Sequence, residues 1–180
     1  MTREQKKMKA PERRREILSL LQSEKEPIKG GELAEKMKVS RQVIVGDVSL
    51  LKAKNEPIIA TSQGYLYVQE NKAAPAFERT IACRHSAEQT ETELNILVDH
   101  GVFIKDVTVE HPVYGDLTAS LLLANRRDVQ TLLERIRETK SSYLLELTGG
   151  IHLHTISADN NKAIEEALDA LQAEGILLKS

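Results

Sequence analysis

The 180-residue chain carries 25 Lys and Arg against 27 Asp and Glu, a formal charge of −2, with 41% hydrophobic and 29% charged residues. These are the proportions of an ordinary globular protein, and no apolar run approaches the roughly 20 residues of a bilayer-spanning helix, which excludes a helical membrane protein. The charged N-terminus leads into no apolar stretch and Cys83 is the only cysteine, so neither a secretory signal nor an intrachain disulfide is expected, and a reducing cytoplasm is.

The small net charge hides an asymmetry. Residues 1–70 hold 14 Lys and Arg against 10 Asp and Glu, and residues 71–180 hold 11 against 17. A basic head on an acidic body suits a molecule that presents one end to a polyanion. Residues 71–76, with Pro75 and no apolar periodicity, read as a linker between a domain of residues 1–70 and one of residues 77–180.

In chain order, Pro11 to Leu21 predicts a first helix, with proline in the first turn and Ile17, Leu18 and Leu21 on one face. Pro27 and the pair Gly30-Gly31 are expected to break the chain before a short helix from Glu32 to Met37. Lys38-Val39 is a turn, and Ser40 caps a third helix over about Arg41–Lys54, with Ile44, Val48 and Leu51 turned to the core. Two β-prone runs, 57–60 and 65–68, flank a turn at Gln63-Gly64. Two helices, a sharp turn, a third helix and a hairpin make the order of a winged helix-turn-helix.

In that arrangement Ser40, Arg41, Gln42, Val45, Gly46 and Ser49 lie on the outer face of the third helix, the side that enters a major groove. Arg41 is suited to guanine, Gln42 to adenine and Val45 to a thymine methyl, while Ser40 and the helix N-terminus suit a phosphate. Gly46 offers no side chain there, which either admits the backbone close to the groove or lowers affinity. Thr61, Ser62 and Gln63 form the wing tip, and Arg13, Arg14 and Arg15 are further candidates for phosphate contacts, although an arginine run is often a solvated face.

The second half alternates strand 79–84, helix 86–100, strands 102–110 and 116–123, helix 126–140, strand 151–156 and helix 160–174, with 176–178 as a closing edge strand. This predicts an α/β sandwich (α+β), its helices on one face of a mainly antiparallel sheet. All five histidines fall in it. His152 and His154, two apart on a strand, share a sheet face; His85 ends the first strand, and Glu93 lies two helical turns further on. Three imidazoles and a carboxylate would suit a divalent transition metal, zinc, nickel or iron. Cys83 shares a strand face with His85 and is a possible thiolate ligand, but a small buried hydrophobe is its commoner role. His100 sits at a helix C-terminus, where the dipole favours an imidazolium, and His111 beside Pro112 either lines a pocket or ends a strand.

Three segments, Val39-Ser40-Arg41-Gln42-Val43-Ile44, His111-Pro112-Val113-Tyr114-Gly115-Asp116 and Leu147-Thr148-Gly149-Gly150-Ile151-His152-Leu153-His154-Thr155-Ile156, resemble the niacin-responsive repressors, which join a winged helix-turn-helix to a three-histidine (3H) domain. The resemblance covers nearly all of the chain after the first ten residues. It implies that His85, Glu93, His152 and His154 bind metal, and that nicotinic acid is the co-repressor of genes for niacin uptake and NAD synthesis. It further implies operator DNA as partner, with a homodimer expected because operator half-sites mirror a protein two-fold. Arg84 and Tyr114 are candidates for holding nicotinate, by pairing with its carboxylate and stacking on its ring. The competing readings are a regulator that senses the metal itself, and a small metallohydrolase carried on a DNA-binding head.

Overall fold

The computed structural model describes residues 8–68 and 77–178; the expected linker, 71–76, lies outside them. The chain divides into two compact units, residues 1–70 and 71–180.

The first unit contains α1 (Ala10–Ser23), α2 (Gly30–Met37), α3 (Arg41–Ala53) and a two-stranded antiparallel sheet of β1 (Ile58–Thr61) and β2 (Gly64–Tyr67). Its core joins one stripe from each helix: Ile17 and Leu21, then Leu33, Ala34 and Met37, then Ile44, Val48 and Leu51, closed by Ile28 and Ile58. Helix α2 begins at Gly30 rather than after the glycine pair. Gly30 is closely packed, since a Cβ there would stand 3.3 Å from the Tyr65 ring and 3.5 Å from Arg41 Nε. Ile28 exchanges two backbone hydrogen bonds of 2.8 Å with Tyr65 and so adds one residue of a third strand beside the hairpin. Gly64, at φ 145°, is what permits this approach, because a Cβ there would run into the Ile28 carbonyl.

The second unit runs β3 (Phe77–Arg84), α4 (Thr90–Asp99), β4 (Phe103–His111), β5 (Gly115–Leu123), α5 (Arg126–Thr139), β6 (Ile151–Ala158) and α6 (Asn161–Ala173). A single turn of 3-10 helix, Ala87–Gln89, precedes α4, and a five-residue 3-10 helix, Leu144–Thr148, precedes β6. The sheet order is β3-β6-β4-β5, with every neighbouring pair antiparallel. Strands β3 and β4 therefore run the same way on either side of β6, which makes α4 a crossover, and α5 is likewise the crossover from β5 to β6. Inward residues of the strands, among them Ile81, Ile104, Leu123 and Ile156, pack against Leu94 and Leu97 of α4, Val129 and Leu133 of α5, and Ile164 and Leu171 of α6. The layering is the expected sandwich with helices on one face. The final strand is shorter than expected: Leu177 makes an isolated bridge to Cys83, flanked by bonds from Arg84 N to Ile176 O and from Leu178 N to Ala82 O.

Candidate metal centre and nucleic-acid interface

The four residues expected to bind metal come from three elements and meet in the core of the second unit. His152 and His154 occupy successive inward positions of β6, opposite Cys83 and Ile81 of β3. His85 follows the last residue of β3, and Glu93 lies in the first turn of α4. All four are buried, Glu93 to 1% exposure. Glu93 is the hub: its Oε2 lies 2.7 Å from His85 Nε2, 3.2 Å from His152 Nε2 and 3.4 Å from His154 Nε2, while its Oε1 lies 3.0 Å from His152 Nε2. The rings stand edge to face, with centroids 4.8 Å apart for His85 and His152 and 5.0 Å for His152 and His154.

Each imidazole is held from behind in the same way. The Nδ1 of His85 donates to Ser86 O at 2.7 Å, that of His152 to Gly150 O at 2.9 Å, and that of His154 to Asp106 O at 2.7 Å. With the Nδ1 proton committed to a carbonyl, a neutral ring presents a bare Nε2 lone pair to the carboxylate. Three lone pairs facing a buried anion repel it unless cations intervene, either as added protons or as a metal ion. Backbone carbonyls that orient ring nitrogens are also what metal-binding histidines use to fix their tautomer.

The electrostatics follow from the hub. Burial alone would push the Glu93 carboxyl up, but the charge of His154 and hydrogen bonds from all three rings hold it well below the usual carboxylate range. Burial pushes His85 down, and its contacts with Glu93 and the Ser86 carbonyl outweigh that and leave it raised. His154 is raised by the same contest, with Glu93 opposing burial. Burial, reinforced by Glu93, pushes the Cys83 thiol far up. The donor set thus fits a divalent transition metal: buried, with a single carboxylate and imidazoles already set in the ligating tautomer.

Sequence reasoning missed the parts that set this geometry. Gly150 O accepts both from the His152 ring and from the His85 backbone N–H at 3.3 Å, so one carbonyl ties two of the four residues together. Gly150 has φ 95°, and a Cβ there would run into the His85 carbonyl oxygen. A register irregularity in β4 between Ile104 and Asp106 presents the Asp106 carbonyl to His154, while Asp106 Oδ1 accepts from Thr155 N. The Gly149-Gly150 pair was the available signal for the first; nothing in the residue pattern marks the second.

The two residues considered for nicotinate are not brought together. Arg84 is exposed and lines a cleft of about 570 Å³ with His85, Ser86, Leu145 and Gly150. Tyr114 is 75% exposed at the β4–β5 turn, where its ring lies 5.0 Å from that of His111, and it lines neither that cleft nor a second one of about 420 Å³ beside His152 and Leu153. His111 ends its strand and accepts from the backbone N–H groups of Val113 and Tyr114, and His100 donates to Ile96 O at its helix end.

In the first unit, Ser40, Arg41, Gln42, Gly46 and Ser49 are exposed and Val45 is half-buried. Ser40 caps α3 by accepting from Val43 N, and Ser49 Oγ donates to Val45 O. A Cβ at Gly46 would meet nothing within 4 Å, so the helix is bare there. The wing is a two-residue turn whose Thr61 Oγ1 accepts from Gln63 N and Gly64 N. Two of the three arginines considered for phosphate are otherwise engaged. Arg13, buried on the stripe of Ile17 and Leu21, pairs with Asp47 of α3 at 2.6 Å, and Arg14 reaches the other Asp47 oxygen at 3.2 Å; only Arg15 is exposed. An arginine four residues before Ile17 and an aspartate beside Val48, both on core stripes, were the legible sign of that pair.

A helix-turn-helix head whose third helix has an exposed outer face, joined in one chain to a domain with a buried histidine–carboxylate cluster, has the make-up of a DNA-binding regulator. Residues 13–66 match an HTH domain family and residues 78–180 match the 3H domain. The chain is 52% identical to the transcription repressor NadR of Bacillus subtilis, over 99% of each chain. It is 36% identical to the probable transcription repressor NiaR of Thermotoga maritima, over 93% of this chain and 94% of that one. The chain belongs to the niacin-responsive transcriptional repressor family; it is a DNA-binding repressor, not an enzyme.

Proposed function

We propose that this repressor represses genes of NAD synthesis and niacin uptake with nicotinic acid as co-repressor, and that it does so as a homodimer. In this reading His85, Glu93, His152 and His154 hold a divalent transition metal, and nicotinate binds beside it, with Arg84 placed to pair with the ligand carboxylate. The observation that carries it is the convergence of three Nε2 atoms on one buried carboxylate, each ring locked by a carbonyl behind it. A bound metal supplies a Lewis-acidic open position for a carboxylate or a pyridine nitrogen. The protein residues orient the ligating atoms and exclude water. On the head, Ser40, Arg41, Gln42, Val45 and Ser49 face the operator, with Arg41 and Gln42 reading base edges.

Nicotinate acts as co-repressor only if it binds the operator-competent arrangement of the dimer more tightly than the other. A fluorescence-anisotropy titration of operator DNA tests this, with and without nicotinate, on metal-loaded and metal-stripped protein. The expected outcome is at least a tenfold gain in operator affinity with nicotinate, about 1.4 kcal/mol of coupling, lost on stripping. Unchanged affinity from micromolar to millimolar nicotinate would reject nicotinate as effector. A gain produced by metal alone would make the metal the signal.

A further inference from the structure

We propose that Cys83 is a further ligand of the metal centre, a thiolate donor beside the imidazoles and Glu93. The inference rests on metal binding at this site, as proposed above, and extends it from an N/O site to one with sulfur. Its basis is placement. Cys83 is the residue directly opposite His152 across the β3–β6 pair, and both side chains point to the inner face. The Cys83 Sγ, a Glu93 carboxylate oxygen and a His152 ring nitrogen all lie within 4.8 Å of one another, and all three residues are buried.

Ligand bonds of about 2.3 Å to sulfur and about 2.0–2.1 Å to nitrogen set two donors of one tetrahedral ion about 3.6 Å apart. Seating an ion among these three atoms therefore takes a closing of up to about 1.2 Å, within reach of side-chain torsions. The thiol is turned to the Glu93 carboxylate, its hydrogen-bond partner, so the sulfur already faces the group at the hub of the site. The other inward residue of β3 facing a histidine, Ile81 opposite His154, is the purely apolar contrast.

On binding, the Sγ–H bond breaks heterolytically, the proton passes to the buffer, and a sulfur–metal bond forms with no change of oxidation state. A thiolate among imidazoles biases the site toward zinc, cobalt and nickel and against the hard cations magnesium, calcium and manganese.

The test uses the full chain, stripped and reloaded with one equivalent of Co²⁺. The expected spectrum combines visible d–d bands with an intense near-ultraviolet thiolate-to-cobalt charge-transfer band. Because Cys83 is the only cysteine of the chain, no other thiolate can produce that band. Cys83→Ala should lose it and retain the d–d bands; Cys83→Val, which keeps the packing volume, serves the same purpose if the alanine variant fails to fold. Wild-type d–d bands without charge transfer, or an unchanged spectrum in either variant, would overturn the sulfur ligand and leave the histidine–carboxylate site standing. Wild-type protein that retains no cobalt would overturn both readings.

Discussion

At the scale of single residues, Glu93 decides the behaviour of the second unit's core. In metal-free protein His85 and His154 are raised above 6.5, so the stability they contribute is full below about pH 6.5 and is lost as pH climbs through their folded values. Glu93 is lowered from 4.5, so its contribution is present above about pH 4.5 and is lost only as pH falls through its depressed value. Stripped protein should therefore gain most from this cluster between about pH 4.5 and 6.5 and melt lower as the buffer is taken toward pH 8. Zinc-loaded protein should show the opposite trend, since metal needs deprotonated imidazoles. Melting temperatures of the two forms across this range check the point, and parallel profiles would contradict it. Gly150 is the second decisive residue. Gly150→Ala forces a side chain onto φ 95° and against the His85 carbonyl, displacing the atom that holds both His85 and His152. Zinc affinity measured by chelator competition should fall by about 10–100-fold, the usual cost of disturbing groups behind metal ligands.

At the scale of elements, α3 is held by charge as well as by packing. Asp47 lies on the inner face of α3 between Ile44 and Val48, and two guanidinium groups from α1 close on its carboxylate. Removing one side of a buried pair costs about 3–5 kcal/mol because the remaining charge stays buried. Asp47→Asn keeps one acceptor for Arg13, so the lower end, about 3 kcal/mol, is expected for the head. Hydrogen exchange should accelerate in α1 and α3 while the second unit keeps its protection. A variant that exchanges like the wild type would show the pair to be dispensable. The same pairing engages Arg13 and Arg14 of the arginine run and leaves Arg15 exposed.

At the scale of the whole molecule, each unit has its own apolar core, one built on Ile17, Leu33, Ile44 and Val48, the other on Leu97, Ile104, Leu123 and Ile156. Lesions in one should therefore leave the other folded. Arg41→Ala, exposed at the start of α3, should weaken operator binding by about 1–3 kcal/mol and relax base preference, with zinc and nicotinate affinities unchanged. An equal loss on random DNA would reduce Arg41 to a phosphate anchor.

Local rules read from the amino-acid order were sufficient for much of this. Helical periodicity and the Ser40 cap located α3, alternation along 151–156 put His152 and His154 on one face, and the strand–helix order indicated an antiparallel sheet under helices. Those features depend on residues within a turn or two of each other, so they are legible without a fold. Other features belong to contacts between distant segments. Arg13 meets Asp47 across 34 positions, Glu93 meets His152 across 59, and the Asp106 carbonyl meets His154 across 48. The sequence by itself determined which donors exist and which face each takes. Only the tertiary structure decided that one carboxylate gathers three imidazoles, that backbone carbonyls set their tautomers, and that Cys83 stands beside them, because each follows from strand register and chain crossing.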